Sequence, residues 1–203
     1  EQQRVALART LAPGPPVVLL DEPLTSLDRA LREALLVTMA EVFDATATTA
    51  VLVTHDQSEA LQFGHEVAVM RAGRIVRAGP PAEVWEDPQQ AWTARFLGLA
   101  NVVDRDHPAV PAAGAPAEQL QGAGAVLIRP ERLRLHPQAS GCAGLPGRVR
   151  GTAFRGGMSV VTVELDAGGS LDVWSVGRTA DPGDGVLVEV PATALLALSG
   201  SAD

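Results

Sequence analysis

Residues 17–23 read Val-Val-Leu-Leu-Asp-Glu-Pro. A short, wholly apolar run predicts a strand buried on both faces, as in the middle of a parallel sheet. This run ends in two adjacent carboxylates, Asp21 and Glu22, before Pro23 stops it. Burying a carboxylate without a partner is costly. Something near the end of the strand must therefore offset the charge, and the rest of the chain has to be read for it.

Around that strand the pattern is α/β. Residues 4–11 are good helix formers with Val5, Ala8 and Leu11 or Ala12 at helical spacing, and the proline-rich 13–16 ends them. From Asp28, a helix-capping type, Leu31, Leu35, Met39 and Val42 mark one helical face. Residues 49–54 predict a second buried strand, ending at His55, followed by a short helix over 58–63. Residues 66–70 and 74–77 flank Arg-Ala-Gly and predict a hairpin, and 81–97 are largely helical with a break near Pro88.

After Leu97-Gly98 the texture changes. Residues 109–124 are rich in Ala, Pro and Gly and read as a loop. Valine- and leucine-rich runs follow at 125–129, 147–153, 160–165, 171–175 and 186–190, separated by turn signals such as Asp181-Pro182-Gly183-Asp184. Such spacing predicts a small all-β barrel or sandwich. The expected organisation is an α/β domain over 1–98 and a β domain over 99–203.

Composition narrows the function. The net charge of −8 excludes a broad basic footprint for nucleic acid. All 16 basic residues are arginine; the chain has no lysine. The single Cys142, in a Gly/Ala-rich stretch, cannot form an internal disulfide. No apolar run is long enough to span a bilayer as a helix. The chain begins Glu-Gln-Gln-Arg, without methionine or signal-peptide features, which predicts a cytoplasmic-type segment of a longer protein.

The chemistry gathers in the α/β half: Asp21-Glu22, then Ser26-Leu27-Asp28, then His55. Carboxylates at the C-terminal end of a parallel strand lie where open α/β sheets bind ligands. A divalent cation carried with a nucleotide would offset their charge. Aspartate at such a strand end holds Mg²⁺ in P-loop enzymes, and the next glutamate can deprotonate an attacking water. Successive residues point apart, so each carboxylate can serve a different atom. Taken singly, each piece has a plainer use: the acids as helix caps, Ser-Leu-Asp as a helix start, His55 as a surface residue.

Taken together, residues 1–28 and 51–61 resemble the second half of an ATP-binding subunit of an ABC transporter. The resemblance implies that Glu1 is the fifth residue of the family's signature motif, whose preceding Leu-Ser-Gly-Gly is not in this sequence. It implies that 17–22 is the Walker B strand, with Asp21 on the Mg²⁺ shell and Glu22 as general base. Ser26, Leu27 and Asp28 match the D-loop at the dimer interface, and His55 matches the switch histidine that contacts the γ-phosphate of ATP. Residues 67–101 resemble importer ATPases that carry a C-terminal regulatory extension. Residues 126–135, with Arg129-Pro130-Glu131, and 147–198 resemble the TOBE-type β domain of that group, in which Trp174 reads as packing.

The implied fold is thus a partial RecA-like P-loop NTPase domain followed by a small OB/TOBE-like barrel. The implied assembly is a homodimer of ATPase subunits sandwiching ATP and Mg²⁺ on the cytoplasmic face of the membrane. It would drive a transmembrane permease fed by an external solute-binding protein. The solute class stays open among ferric iron, thiamine, polyamine, sulfate and sugar. A phosphate-binding loop of the form G-x-x-x-x-G-K-[ST] needs a lysine, so that loop does not lie in these 203 residues. Two other readings are an inactive regulatory or dimerising fragment and a DNA-repair-type ABC ATPase. The latter would show long heptads or a basic surface, and this sequence has neither.

Overall fold

The structure, a computed structural model, describes residues 2–25, 27–155, 157–177 and 180–202. The chain divides into two compact units, Glu1–Glu86 and Asp87–Asp203. The sequence texture changes near Leu99, but the division falls earlier, so the helix at 91–96 belongs to the second unit.

In the first unit, α1 (Gln2–Leu11) leads to β1 (Val17–Asp21), α2 (Arg29–Thr46) and β2 (Thr49–Val53). Then come α3 (Gln57–Phe63), the hairpin β3 (Val67–Arg71) and β4 (Arg74–Gly79), and α4 (Pro81–Glu86). Helix α2 starts where Asp28 accepts the Leu31 N–H and stops at Ala47, which takes a left-handed conformation. Strands β1 and β2 pair in parallel, Val17 opposite Thr49 through Asp21 opposite Val53. One face of this pair packs Val18 against Leu35, Leu36, Met39 and Phe43 of α2, with Leu24 completing the cluster.

The opposite face departs from expectation. Val17 is 52% exposed and Leu19 76%, and Val51 and Val53 are also exposed. The apolar pattern predicted cover on both faces. The reason for the difference is geometric: side chains alternate along a strand, and the described elements pack on only one face of β1–β2.

The second unit is mainly β. A five-stranded sheet has the order β10-β9-β8-β11-β7 and a three-stranded sheet the order β12-β6-β5. Their strands are β5 (Val102–Val103), β6 (Ala125–Ile128), β7 (Arg134–Pro137), β8 (Leu145–Arg155), β9 (Met158–Leu165), β10 (Ser170–Val176), β11 (Gly185–Glu189) and β12 (Leu195–Leu198). All of their pairings are antiparallel. One core joins the sheets, with Val126, Ile128 and Leu195 from one meeting Val149, Val161, Val163 and Val173 from the other. Helix α5 (Ala91–Phe96) is tied to the end of this unit, where Ala91 N–H donates to the Ser199 carbonyl at 3.0 Å.

Residues 109–124 are not a plain loop. They form α6 (Ala109–Ala112) and a 3₁₀ turn (Ala117–Leu120), and bury Ala109, Val110 and Leu120 in the core. Short helical turns need only a few apolar residues at the right spacing, and the Pro/Gly content hid them. Strands β5, β7 and β12 lie outside the predicted runs, because they are short and without clear alternation.

Two polar anchors stand out. Asn101 is 3% exposed; its amide donates to the Asp172 carbonyl and accepts the Asp172 N–H, both at 2.7 Å. A buried amide that satisfies both backbone groups of one residue pins the segment before β5 to β10. His107 is half-buried, and its Nδ1 accepts the Ala109 N–H at 3.3 Å. Its Nε2 lies where a Cβ on Gly169 would have to sit, and Gly169 takes φ +83° in the β9–β10 turn. Burial lowers the His107 pKa below its ordinary 6.5, with Asp106 and Asp104 acting in the opposite sense.

Replacing Asn101 by Ala orphans both backbone groups, each worth about 1–3 kcal/mol when left unpaired in a buried site. Chemical denaturation of Asn101→Ala should therefore show a loss of about 2–4 kcal/mol. For His107, the folded state favours the neutral ring while the unfolded chain takes up a proton near pH 6.5. Its contribution is complete above that pH and lost as pH falls from it toward the lower folded pKa. Thermal melts between pH 7.5 and 5 should show this decline, and His107→Asn should flatten it.

Candidate functional site

Parallel pairing brings the C-terminal ends of β1 and β2 to the same edge. Glu22, the first residue beyond β1, donates its N–H to the Val53 carbonyl at 2.9 Å. Its backbone takes φ +45°, a left-handed conformation that costs a non-glycine residue of order 1–3 kcal/mol. Thr25 holds the turn closed: its N–H and hydroxyl both donate to the Glu22 carbonyl, at 3.4 and 3.0 Å.

This turn aims the Glu22 carboxylate. Oε2 accepts from the Thr25 hydroxyl at 3.3 Å, and Oε1 lies 3.1 Å from His55 Nδ1. The sequence reading assigned Glu22 and His55 to separate partners; the structure pairs them. A histidine whose Nδ1–H is donated to a carboxylate is fixed in ring orientation. Both side chains stay open to solvent, His55 at 70% and Glu22 at 48%, so a ligand can approach them.

Asp21 ends β1 with an exposed carboxylate. Asp28 caps α2, its Oδ1 accepting the Leu31 N–H at 3.0 Å. Ser26 and Glu1 lie outside the described residues. Mg²⁺ is usually held by one or two carboxylates together with waters and substrate phosphates. Among the described residues no three His, Cys, Asp or Glu side chains gather to hold an ion by themselves. A single exposed carboxylate at the strand end fits a metal that arrives with its phosphates, not one caged by protein.

Behind the pair lies a network that the sequence reading missed. Asp56 caps α3 by accepting the Ser58 and Glu59 N–H groups at 2.8 and 3.2 Å. Glu59 is 4% exposed and accepts from the Thr54 hydroxyl at 2.5 Å, while Thr54 Oγ1 accepts the Asp56 N–H at 3.0 Å. Arg32 from α2 reaches Asp56 Oδ2 at 3.0 Å, the Leu27 carbonyl at 3.2 Å and Glu59 Oε1 at 3.4 Å. The signal was present: Asp56-Gln57-Ser58-Glu59 has the spacing of a helix-capping box.

Comparison with known proteins follows the same division. Residues 126–198 match the TOBE domain family. The chain is 42% identical over 99% of its length to the Fe(3+) ions import ATP-binding protein FbpC of Streptomyces coelicolor, covering 59% of that protein. It is also 42% identical over 99% of its length to the protein of the same name from Streptomyces avermitilis, covering 60% of it. The chain thus spans about three-fifths of the length of the curated relatives it matches. Among solved structures, an ATP-binding cassette dimer in a post-hydrolysis state with ADP and Pi is 35% identical over 39% of this chain and 34% of its own, with a TM-score of 0.36. The likeness to ATP-binding proteins of import systems therefore extends over essentially the whole chain, and the β unit carries a TOBE domain.

The cap makes a simple prediction. Removing an N-cap side chain costs about 1 kcal/mol, and Asn serves the position as well as Asp. Asp28→Ala should lower the stability of the first unit by about that amount in denaturant titration, and Asp28→Asn should leave it near wild type.

Proposed function

We propose that this chain forms the hydrolytic and regulatory portion of an ABC importer ATPase subunit. The observation that carries this reading is the Glu22–His55 pair at the end of a parallel strand, 3.1 Å apart and open to solvent. Glu22 acts as the base, taking a proton from the water that attacks the γ-phosphate of ATP. His55, steadied through Nδ1, meets the phosphate and helps to spread the developing charge. Asp21 would hold Mg²⁺, which offsets phosphate charge when bound.

The rest of the assembly follows from the same reading. It assigns the sequence positions Glu1, Ser26 and Asp28 to contact with nucleotide and with the second subunit of a homodimer. On this reading the functional boundary between the ATPase part and the TOBE-type part stays near residue 99, although the compact units divide earlier, between Glu86 and Asp87. No helix among the described residues is long and apolar enough to cross a membrane. On the same reading the subunit attaches peripherally to permease subunits at the cytoplasmic face. An external solute-binding protein would deliver the solute. The identity with Fe(3+)-import relatives supports ferric iron as that solute.

A second reading is that these 203 residues act alone as a regulatory or dimerising module without ATPase activity. The absence of any lysine, and so of a phosphate-gripping loop, favours it for the isolated chain. The two readings separate in one comparison. In the full-length gene product with its permease, Glu22→Gln should lower ATP turnover by roughly 10²–10⁴-fold, the usual weight of a general base. ATP binding should persist and cellular ferric-iron uptake should be lost. Unchanged turnover removes Glu22 from the base role, and lysine-free ATP hydrolysis by the isolated chain removes the second reading.

A further inference from the structure

We infer that Arg32 is a positioning residue that sets the distance between the Glu22 carboxylate and His55, and couples that distance to the turn preceding α2. His55 lies between two residues that are both tethered. Thr54 on one side donates to Glu59, and Asp56 on the other caps α3. The Arg32 guanidinium reaches both of these tethers. Its Nη1 donates to Asp56 at 3.0 Å, and its Nε lies 3.4 Å from Glu59, a charge contact without hydrogen-bond alignment. Its Nη2 turns the other way and donates to the Leu27 carbonyl at 3.2 Å.

The three contacts need a fork. A guanidinium presents its donors in a fixed plane, so one side chain can hold three acceptors at set separations; an ammonium is a point charge and cannot. Glu59 is buried and depends on this cation for charge compensation. Leu27 and Asp28 start α2, and the Glu22–Thr25 turn lies just before them. A shift of Leu27 therefore reaches Asp56, and with it His55, through one side chain. The carboxylate is held on its own side by Thr25, so Arg32 governs the His55 side of the pair.

The role assigned to Arg32 rests on Glu22 and His55 acting as proposed above, and the experiment separates the two. Turnover, KM for ATP and melting temperature are measured on the full-length protein with its permease, for wild type, Arg32→Ala, Arg32→Lys and Glu22→Gln. Misplacement of a catalytic group by about 1 Å can cost up to about 10²-fold. Both Arg32 variants should lose kcat by about tenfold or more with KM unchanged. Arg32→Lys should regain most of the melting temperature, because it keeps the charge beside Glu59. If kcat simply follows melting temperature across the two variants, or does not fall, Arg32 is structural and the inference is overturned. If wild type shows no Glu22-dependent turnover, the reading of the site itself fails, and Arg32 has nothing to position.

A measurement without activity closes the test. In the 203-residue chain, the imidazole resonances of His55 should shift on Arg32→Lys, while those of His107 and His136 in the second unit stay in place. Unmoved His55 resonances would also overturn the inference.

Discussion

The parallel register of β1 and β2, with Asp21 opposite Val53, is the constraint on which the site depends. An antiparallel pair of the same five-residue strands would put the end of one beside the start of the other, about 16 Å away. Parallel pairing instead sets both C-terminal ends on one edge, two residues of chain from His55. The crossover that parallel strands require is supplied by α2, and that same helix carries Arg32. One topological choice thus provides the acid, the histidine and the residue that spaces them.

The backbone at Glu22 shows what that arrangement costs locally. A left-handed residue directly before a proline is disfavoured twice, by its own Cβ and by the following ring. It persists because three hydrogen bonds, to Val53 and from Thr25, over-determine the turn. A relaxed extended backbone at Glu22 would continue the strand direction and carry the carboxylate away from His55. Strain here is the means by which the chain leaves the sheet abruptly enough to present a side chain at its edge.

The sequence showed the main elements of both units because their signals are local. The strand-helix-strand order, Asp28 as a cap and the hairpin at 67–79 all follow from short-range pattern. Of the site, Asp21, Glu22 and His55 could be read as residue types in order, but not that Glu22 and His55 touch, since 33 residues separate them. The Arg32 network was hidden for the same reason: its contact with Asp56 spans 24 residues, and an arginine on a helix face reads first as a solvated charge. In the second unit, the helical turns at 109–120 were hidden by composition. A three- or four-residue turn carries no periodicity to detect, and only the closed core shows why Val110 and Leu120 are apolar.

The two units also differ in how apolar pattern relates to burial. In the second unit, alternation along β9 and β10 matches burial closely, because two sheets close over one core from both sides. In the first unit, Val17, Leu19, Val51 and Val53 are as apolar as their neighbours but exposed. Parallel strands are stable when both faces are covered, and a continuous apolar run is the mark of that environment. The pattern in β1 therefore records the surroundings the strand is suited to, and the exposure records only which elements these residues supply. For the site this distinction has a physical consequence. Among the described residues, the edge that presents Glu22 and His55 is held by α2 and α3, and the Arg32 guanidinium links the start of α2 to Asp56 and Glu59 beside His55.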